Sequence, residues 1–194
     1  MTRALTPIEE PFSPEITALL AHYPKRDGYV LQLFRVFGNS LRFLKKGTVN
    51  LLDPDSPLSR RQREIVILRV CANNDCEYEW GVHVTAFAAH VGLTDRQVAA
   101  TRIGDHRDDC WSGDESVLIR AVDELCGSGR IRPGTYGEVQ ALFSVEQQLE
   151  ILALCGNYHT VCFVANTAGL EGEPFGARFP SVGAAPPVPK TGAI

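Results

Sequence analysis

The chain has 194 residues, of which 44% are hydrophobic and 22% are charged, and its formal net charge is −4. This composition is that of one globular domain with a substantial core, and it excludes an intrinsically disordered chain. The basic residues form only short clusters, so the electrostatic footprint of a protein that binds nucleic acid or anionic lipid is absent.

The lack of a recognisable targeting segment and the pattern of cysteines predict a cytoplasmic protein. No segment approaches the roughly 18 uncharged apolar residues of a membrane span. The N-terminal segment has acids and prolines where a secretory signal peptide needs an apolar run. In the cytoplasm the six cysteines are expected to be reduced thiols. They form no CxxC pair, so the usual zinc and dithiol-redox signatures are missing.

The sequence predicts helices along most of the chain. Residues 1–27 contain prolines and are expected to be irregular, with a short helix near 14–22. Asp27 is in position to cap a helix over 29–46, where apolar residues recur at helical spacing. Further helices are predicted near 60–72, 75–90, 95–102, 114–126, 136–142 and 145–168. Capping boxes begin at Ser59, Thr94, Thr135 and Ser144, and Asn74 with Glu77 is a similar helix start.

Strand patterns are nearly lacking, so the predicted fold class is all-α. The expected architecture is a compact helical bundle over 28–170, with an antiparallel helix hairpin of residues 59–91 at its centre. Residues 171–194 are rich in glycine and proline. They are expected to form an extended tail that is either mobile or lies across a neighbouring subunit.

The hairpin carries the residues with chemical potential. On its second helix, Cys76, Glu79, His83 and His90 have the spacing of one helical stripe, and Glu64 on the first helix can face His83. Two carboxylates and an imidazole suit proton transfer, and two carboxylates beside one pocket are expected to separate their pKa values into an acid and a base. Cys76 lies near a helix N-terminus, whose dipole favours a thiolate.

The same residues resemble a known family. Glu-x11-Cys-x-x-Cys-x-x-x-His is the signature of the alkylhydroperoxidase D family, and Glu64, Cys76 and His83 match it, while position 79 is Glu instead of the second cysteine. The segment CEYEWGVH and the run Asn157-Tyr158-His159 resemble the branch of the carboxymuconolactone decarboxylase superfamily that lacks the dithiol. The resemblance covers residues 28–170. It implies a homo-oligomer (dimer, trimer or hexamer), no metal and no cofactor.

The resemblance also implies roles for these residues. In the alkylhydroperoxidase the second cysteine attacks the peroxide, the first completes the disulfide, and a Glu–His relay moves protons. Glu79 cannot be oxidised to a sulfenic acid or form a disulfide. We therefore predict a metal-free acid–base enzyme, decarboxylase- or isomerase-like, that acts on a small organic acid or lactone. Its catalytic residues would be Glu64, Cys76, Glu79 and His83, with Tyr158 and His159 supporting them.

Two alternatives remain open at this stage. A peroxidase could use Cys76 as a lone thiol, or the chain could be a catalytically silent helical subunit of an oligomer. Each residue also has a purely structural interpretation. Glu79 and His83, four residues apart, are often only a helix-stabilising pair, and a histidine among apolar residues is often a hydrogen-bonded core residue.

Overall fold

The computed structural model describes residues 4–181 and is mostly helical, which confirms the predicted fold class. A short helix, α1 (Pro14–Leu20), precedes a two-residue hairpin of β1 (Lys25–Arg26) and β2 (Tyr29–Val30). The helices that follow are α2 (Gln32–Phe37), α3 (Leu41–Lys46), α4 (Arg60–Asn73), α5 (Glu77–His83), α6 (Asp95–Ile103), α7 (Gly113–Ser128), α8 (Pro133–Leu142) and α9 (Val145–Thr167). A π-helical turn, Val84–Ala88, continues α5.

Helix α4 lies at the centre of the bundle. It contacts α5, α6, α7 and α9, and its residues 63–72 are all buried. Its buried charged residues, Arg63, Glu64 and Arg69, are each hydrogen-bonded, as buried charges must be, while the apolar run from Ile65 to Leu68 fills the core. The capping boxes at Ser59, Thr94 and Ser144 are present, so α4, α6 and α9 begin where the sequence predicts. The central hairpin is thereby confirmed.

The predicted helix over 29–46 is wrong. Asp27 and Gly28 have positive φ angles of 51° and 84°, so they form the turn between β1 and β2 instead of capping a helix. The helical region then divides into α2 and α3 at 38–40, where Ser40 accepts a hydrogen bond from the Phe43 amide and starts α3. A hydrogen-bonding side chain at an N-cap gives the chain a local alternative to continuing the first helix.

The second helix of the hairpin also differs in detail. It begins after Cys76, whereas Asn74 ends α4. The π turn inserts an extra residue per turn, which rotates everything beyond it. His90 is therefore exposed and leaves the stripe on which it was placed. Thr135 does not start a helix, because α8 begins two residues earlier and the Thr135 hydroxyl donates to Glu124.

Residues 171–181 pack against the same chain instead of extending away from it. The Glu173 side chain is 1% exposed, and the Ala177 amide donates to the Gly81 carbonyl of α5. This differs from the expected mobile or subunit-crossing tail, because Glu173 finds several hydrogen-bond donors in the interior. Residues 1–3 and 182–194 of the predicted terminal segments lie outside the described residues. No helix between residues 4 and 181 is long and apolar enough to cross a membrane.

Candidate functional site

The core of the site is a hydrogen bond between the two helices of the hairpin. His83 Nδ1 lies 2.8 Å from Glu64 Oε2. Glu64 is in the first half of α4 and His83 is the last residue of α5, so antiparallel packing brings them together. Both residues are buried, with exposed fractions of 5% and 3%. The predicted contact between Glu64 and His83 is confirmed.

The other ring nitrogen of His83 faces two groups. His83 Nε2 lies 3.4 Å from Glu79 Oε1, one turn earlier in the same helix, and 3.1 Å from the Tyr158 hydroxyl of α9. The Tyr158 ring meets the imidazole edge-on at a centroid distance of 5.3 Å. Tyr158 therefore contacts the imidazole directly. The sequence places it only among the residues that support the catalytic ones.

These contacts determine the charge of the imidazole. Burial of the ring lowers the pKa of His83. The charge and hydrogen bond of Glu64, and then those of Glu79, raise this pKa by more than burial lowers it. The net result is a pKa of about 10 for His83, against an ordinary value of 6.5. The ring is therefore an imidazolium at neutral pH. Its Nδ1–H donates to Glu64, and its Nε2–H is shared between Tyr158 and Glu79.

The cluster forms one end of a large cavity. The cavity opens to solvent and has a volume of about 860 Å³. This volume lies within the roughly 300–1,000 Å³ that small-molecule sites occupy. Its wall is mostly apolar and includes Leu31, Leu33, Phe34, Phe37, Val161 and Phe175. Its ionisable wall residues include Lys25, Arg26, Glu79 and His83. Of these four, only Glu79 and His83 are buried.

One oxygen of Glu79 has no hydrogen-bond partner among residues 4–181. Glu79 is 7% exposed and lines the cavity, and its Oε1 is the atom that faces His83. Its Oε2 is buried and accepts no hydrogen bond from any described residue. A buried carboxylate oxygen without a donor is costly, and such atoms are rare in folded proteins. Glu79 therefore retains one unused acceptor oxygen in the buried cluster around His83.

Cys76 lies elsewhere in the core. It is fully buried, it is absent from the cavity wall, and it belongs to a cluster with Cys71 and Cys162. A hydrogen bond with the Cys162 thiol and burial raise the pKa of Cys76 far above its usual range. The expectation that the helix dipole favours a thiolate is wrong here, because the hydrogen bond with Cys162 and the desolvation of the thiol together outweigh the dipole. Burial likewise raises the pKa of Cys71 to about 11.

His159 does not join the site. Its Nδ1 bonds the Cys155 carbonyl within α9, and its ring packs on Phe163. It is absent from the cavity wall, unlike its neighbours Asn157 and Tyr158. The helical periodicity of α9 explains this difference, because Tyr158 points to the core and the next residue is turned by about 100°.

Several cavity residues have no signal in the sequence. Lys25 and Arg26 come from the β-hairpin, and Phe175 comes from the C-terminal segment. Both regions were expected to be irregular. Residues far apart in the chain meet here through tertiary packing, which no local pattern encodes.

A metal has no obvious position at this cluster. Both nitrogens of His83 already have partners within 3.4 Å. Across residues 4–181, no group of three or more His, Cys, Asp or Glu residues is arranged to hold an ion.

Comparison with known proteins gives the wider context. Residues 42–118 match the model of the carboxymuconolactone decarboxylase family. None of the curated proteins matches the sequence. Among solved structures, the debrominase Bmp8 superposes with a TM-score of 0.74 at 13% identity, over 90% of this chain and 95% of its own.

Two other solved structures are similar. A peroxidase-related protein from Silicibacter sp. TM1040 gives a TM-score of 0.72 at 16% identity, over 90% of this chain and 96% of its own. A protein from Agrobacterium tumefaciens, suggested to be the antioxidant defence protein AhpD, gives 0.55 at 20% identity, over 61% and 81%. At such low identities the likeness shows the fold alone.

Proposed function

We propose that this chain, which is similar to the carboxymuconolactone decarboxylase family over residues 42–118, is an enzyme of acid–base chemistry on a small organic molecule. The substrate is a small acid or lactone with an acidic C–H next to a carbonyl. Glu79 and Tyr158 contact the substrate, and His83, which is hydrogen-bonded to Glu64, lies beside both of them. The reaction is isomerisation or decarboxylation, which share an enolate intermediate.

The unpaired oxygen of Glu79 is the observation that carries this proposal. Glu79 lines the cavity, its buried Oε2 has no donor among residues 4–181, and its other oxygen faces the imidazolium. A carboxylate in that position is ready to accept a proton or a hydrogen bond from a bound molecule. Catalysis by a positioned acid–base group contributes on the order of 10²–10⁴ in rate.

The proton balance of the isomerisation is simple. Glu79 Oε2 accepts the substrate proton and becomes a carboxylic acid, and the electron pair of the broken C–H bond becomes an enolate. The imidazolium of His83 and the Tyr158 hydroxyl lie beside this negative charge and stabilise it. Glu79 then returns the proton to another carbon of the substrate. In decarboxylation, loss of CO₂ forms the enolate, and His83, through Tyr158 or Glu79, supplies the proton.

The peroxidase alternative has less support. It needs a thiolate that a peroxide can reach, whereas Cys76 is fully buried, lies off the cavity and has a strongly raised pKa. The silent-scaffold alternative predicts a packed, pocketless hairpin. The cavity beside Glu79 and His83 argues against it.

The similar structures fit a small ligand. A cysteine-to-alanine variant of the debrominase Bmp8 was crystallised in complex with 2,3,4-tribromopyrrole, a small ring compound. We take this as support for a small, largely apolar ligand and not for debromination by this chain. The homo-oligomer also stays a prediction, and sedimentation at micromolar concentration tests it. Exposed apolar residues on α9, such as Leu149 and Phe163, are compatible with it.

Deuterium exchange tests the proposal without a known product. A panel of β-keto acids and carboxylated lactones is incubated with the protein in D₂O, and loss of the acidic C–H signal is followed by NMR. We expect at least one compound to exchange faster with the wild-type protein. Glu79→Gln should remove the effect, whereas His90→Gln, which changes an exposed histidine beyond the π turn, should keep it. Equal exchange by wild type and Glu79→Gln would refute the role of Glu79.

A further inference from the structure

The C-terminal segment 171–181 forms a wall of the cavity. The Phe175 carbonyl accepts a hydrogen bond of 3.2 Å from the hydroxyl of Thr85, two residues after His83. Phe175 is also one of the residues that line the cavity. The Ala177 amide donates to Gly81 at 3.2 Å. The segment therefore crosses the end of α5 that carries the proposed acid–base cluster.

A buried carboxylate anchors this segment. Glu173 accepts hydrogen bonds from the Tyr78 hydroxyl at 2.6 Å, the Gln32 amide at 2.7 Å and the Tyr29 hydroxyl at 3.1 Å. Tyr78 is in α5, whereas Tyr29 and Gln32 belong to β2 and α2. One side chain thus joins the segment to both the site helix and the β-hairpin. Charge-assisted hydrogen bonds of this kind are about twice as strong as neutral ones.

The anchor brings an aromatic ring and a cation together at the rim. Tyr29 pairs with Arg26 across the hairpin, and the Arg26 guanidinium lies over the Phe175 ring, 4.1 Å from its centroid. Lys25 also lines the cavity beside it. Neither Lys25 nor Arg26 forms an ion pair with any residue in the described range 4–181. The inner end of the cavity, in contrast, has the carboxylate of Glu79.

We propose that Arg26 and Phe175 form the rim of a binding site for an apolar organic anion, with Glu173 as the positioning residue. The anionic group of the ligand pairs with Arg26, its apolar body lies against Phe175 and the cavity wall, and its acidic C–H reaches Glu79. Only the contact between the acidic C–H and Glu79 rests on the proposed function. It names the substrate class, an organic anion with an apolar body, and the residues that select it.

Two matched fluorescent probes test the site. Anilinonaphthalene sulfonate is an aromatic anion, and phenylnaphthylamine has the same aromatic body without the sulfonate. We expect the wild-type protein to bind one equivalent of the anionic probe more tightly than the neutral one. Arg26→Gln should weaken the anionic probe about two- to fivefold, the range of an exposed charge pair, and leave the neutral probe unchanged. The exposed Arg60→Gln, away from the cavity, is the control and should change neither.

The apolar wall and its anchor are tested with the same probes. Phe175→Ala should weaken both probes, whereas Phe163→Ala, an exposed phenylalanine of α9, should not. Glu173→Gln should also weaken both, while the exposed Glu171→Gln should not. Circular dichroism confirms that each variant is folded. If Glu173→Gln unfolds, Phe175→Ala and Arg26→Gln still test the rim.

The outcomes separate this inference from the proposed function. If Glu79→Gln abolishes deuterium exchange but still binds both probes, the result supports the role of Glu79 in the chemistry and leaves the anion rim intact. Equal weakening of both probes by Arg26→Gln, no effect of that change, or no probe binding to the wild-type protein would each refute the anion rim. Neither result depends on knowing the substrate.

Discussion

Nδ1 of His83 lies 2.8 Å from Oε2 of Glu64, and both side chains are almost completely withdrawn from water. A charge in such surroundings is stable only with a counter-charge and hydrogen bonds. Glu64 supplies both on one side of the ring, and Glu79 adds a second carboxylate at 3.4 Å on the other. The imidazolium is therefore part of the folded structure as well as of the proposed chemistry.

The stability of the protein should fall as the pH rises above 6.5. The pKa of His83 is about 10 in the folded protein and 6.5 in the unfolded chain. The stabilisation is therefore fully present below pH 6.5 and is lost progressively up to pH 10. One proton corresponds to a slope of about 1.4 kcal/mol per pH unit. Urea unfolding between pH 6.5 and 7.5 measures this slope, in a range below the ordinary titration of cysteine at about 8.5 and of tyrosine at about 10.

The matched variant for that experiment is His83→Gln, which has no titrating ring. Its unfolding free energy should be nearly independent of pH over the same interval. A wild-type curve that is equally flat would show that His83 is neutral in the folded protein. It would contradict the imidazolium on which the proposed chemistry depends.

Glu64→Gln should lower the pKa of His83. The charge and hydrogen bond of Glu64 are the strongest of the contacts that raise this pKa, and burial acts in the opposite direction. Without the charge, the imidazole should titrate closer to its ordinary value of 6.5. Long-range ¹H–¹⁵N correlation spectra of the ring nitrogens report its protonation directly. The control is Glu77→Gln, which removes another carboxylate of the same helix. Glu77 bonds Arg178 instead of His83, so this change should leave the pKa of His83 unchanged.

His83→Gln should reduce both activity and stability. We expect a loss of turnover on the order of 10²–10⁴ from removal of the acid–base group. We also expect a loss of roughly 3–5 kcal/mol in unfolding free energy, because two buried carboxylates are left without their cation. The burial of His83 between the carboxylates of Glu64 and Glu79 causes this second effect. Turnover per folded molecule separates the two, and unchanged turnover would make His83 purely structural.

The fold and part of the site were predictable because they depend on local patterns. Capping boxes at Ser59 and Ser144 define helix starts by hydrogen bonds between residues three apart, and helical spacing placed Glu64 opposite His83. The π turn after His83 was not predictable, since no residue pattern in the sequence distinguishes it from α-helix. It removed His90 from the stripe.

The cavity wall could not be predicted for a different reason. Phe175 and Arg26 meet because Glu173 bonds residues more than 90 positions away, such as Tyr78. Contacts at such separations depend on the packing of the whole bundle. The burial of Cys76 belongs to the same class, because its neighbour Cys162 comes from α9. A helix-end position predicts the dipole but not the desolvation.

Cys76 should resist oxidation in the folded protein. It is fully buried and its pKa is strongly raised, whereas Cys110 and Cys126 are partly exposed. Treatment with hydrogen peroxide or a thiol reagent, followed by peptide mass spectrometry, should modify Cys110 and Cys126 first. Turnover of alkyl hydroperoxide with a dithiol reductant should be absent. Rapid, selective oxidation of Cys76 would restore the lone-thiol peroxidase as the better explanation.

Gly81→Ala should release the C-terminal segment from α5. A Cβ atom at position 81 would clash with the Ala177 carbonyl oxygen, and because that neighbour is backbone, the segment itself must move. We expect a loss of roughly 1–3 kcal/mol, as for other overpacked sites. The amides of 171–181 should also exchange hydrogen faster, measured by mass spectrometry. Gly137→Ala is the matched control, since its Cβ meets nothing within 4 Å in the middle of α8, and a helical Gly→Ala change there should stabilise by about 0.5–1 kcal/mol. Unchanged exchange of 171–181 in Gly81→Ala would mean that the segment does not depend on its contact with α5.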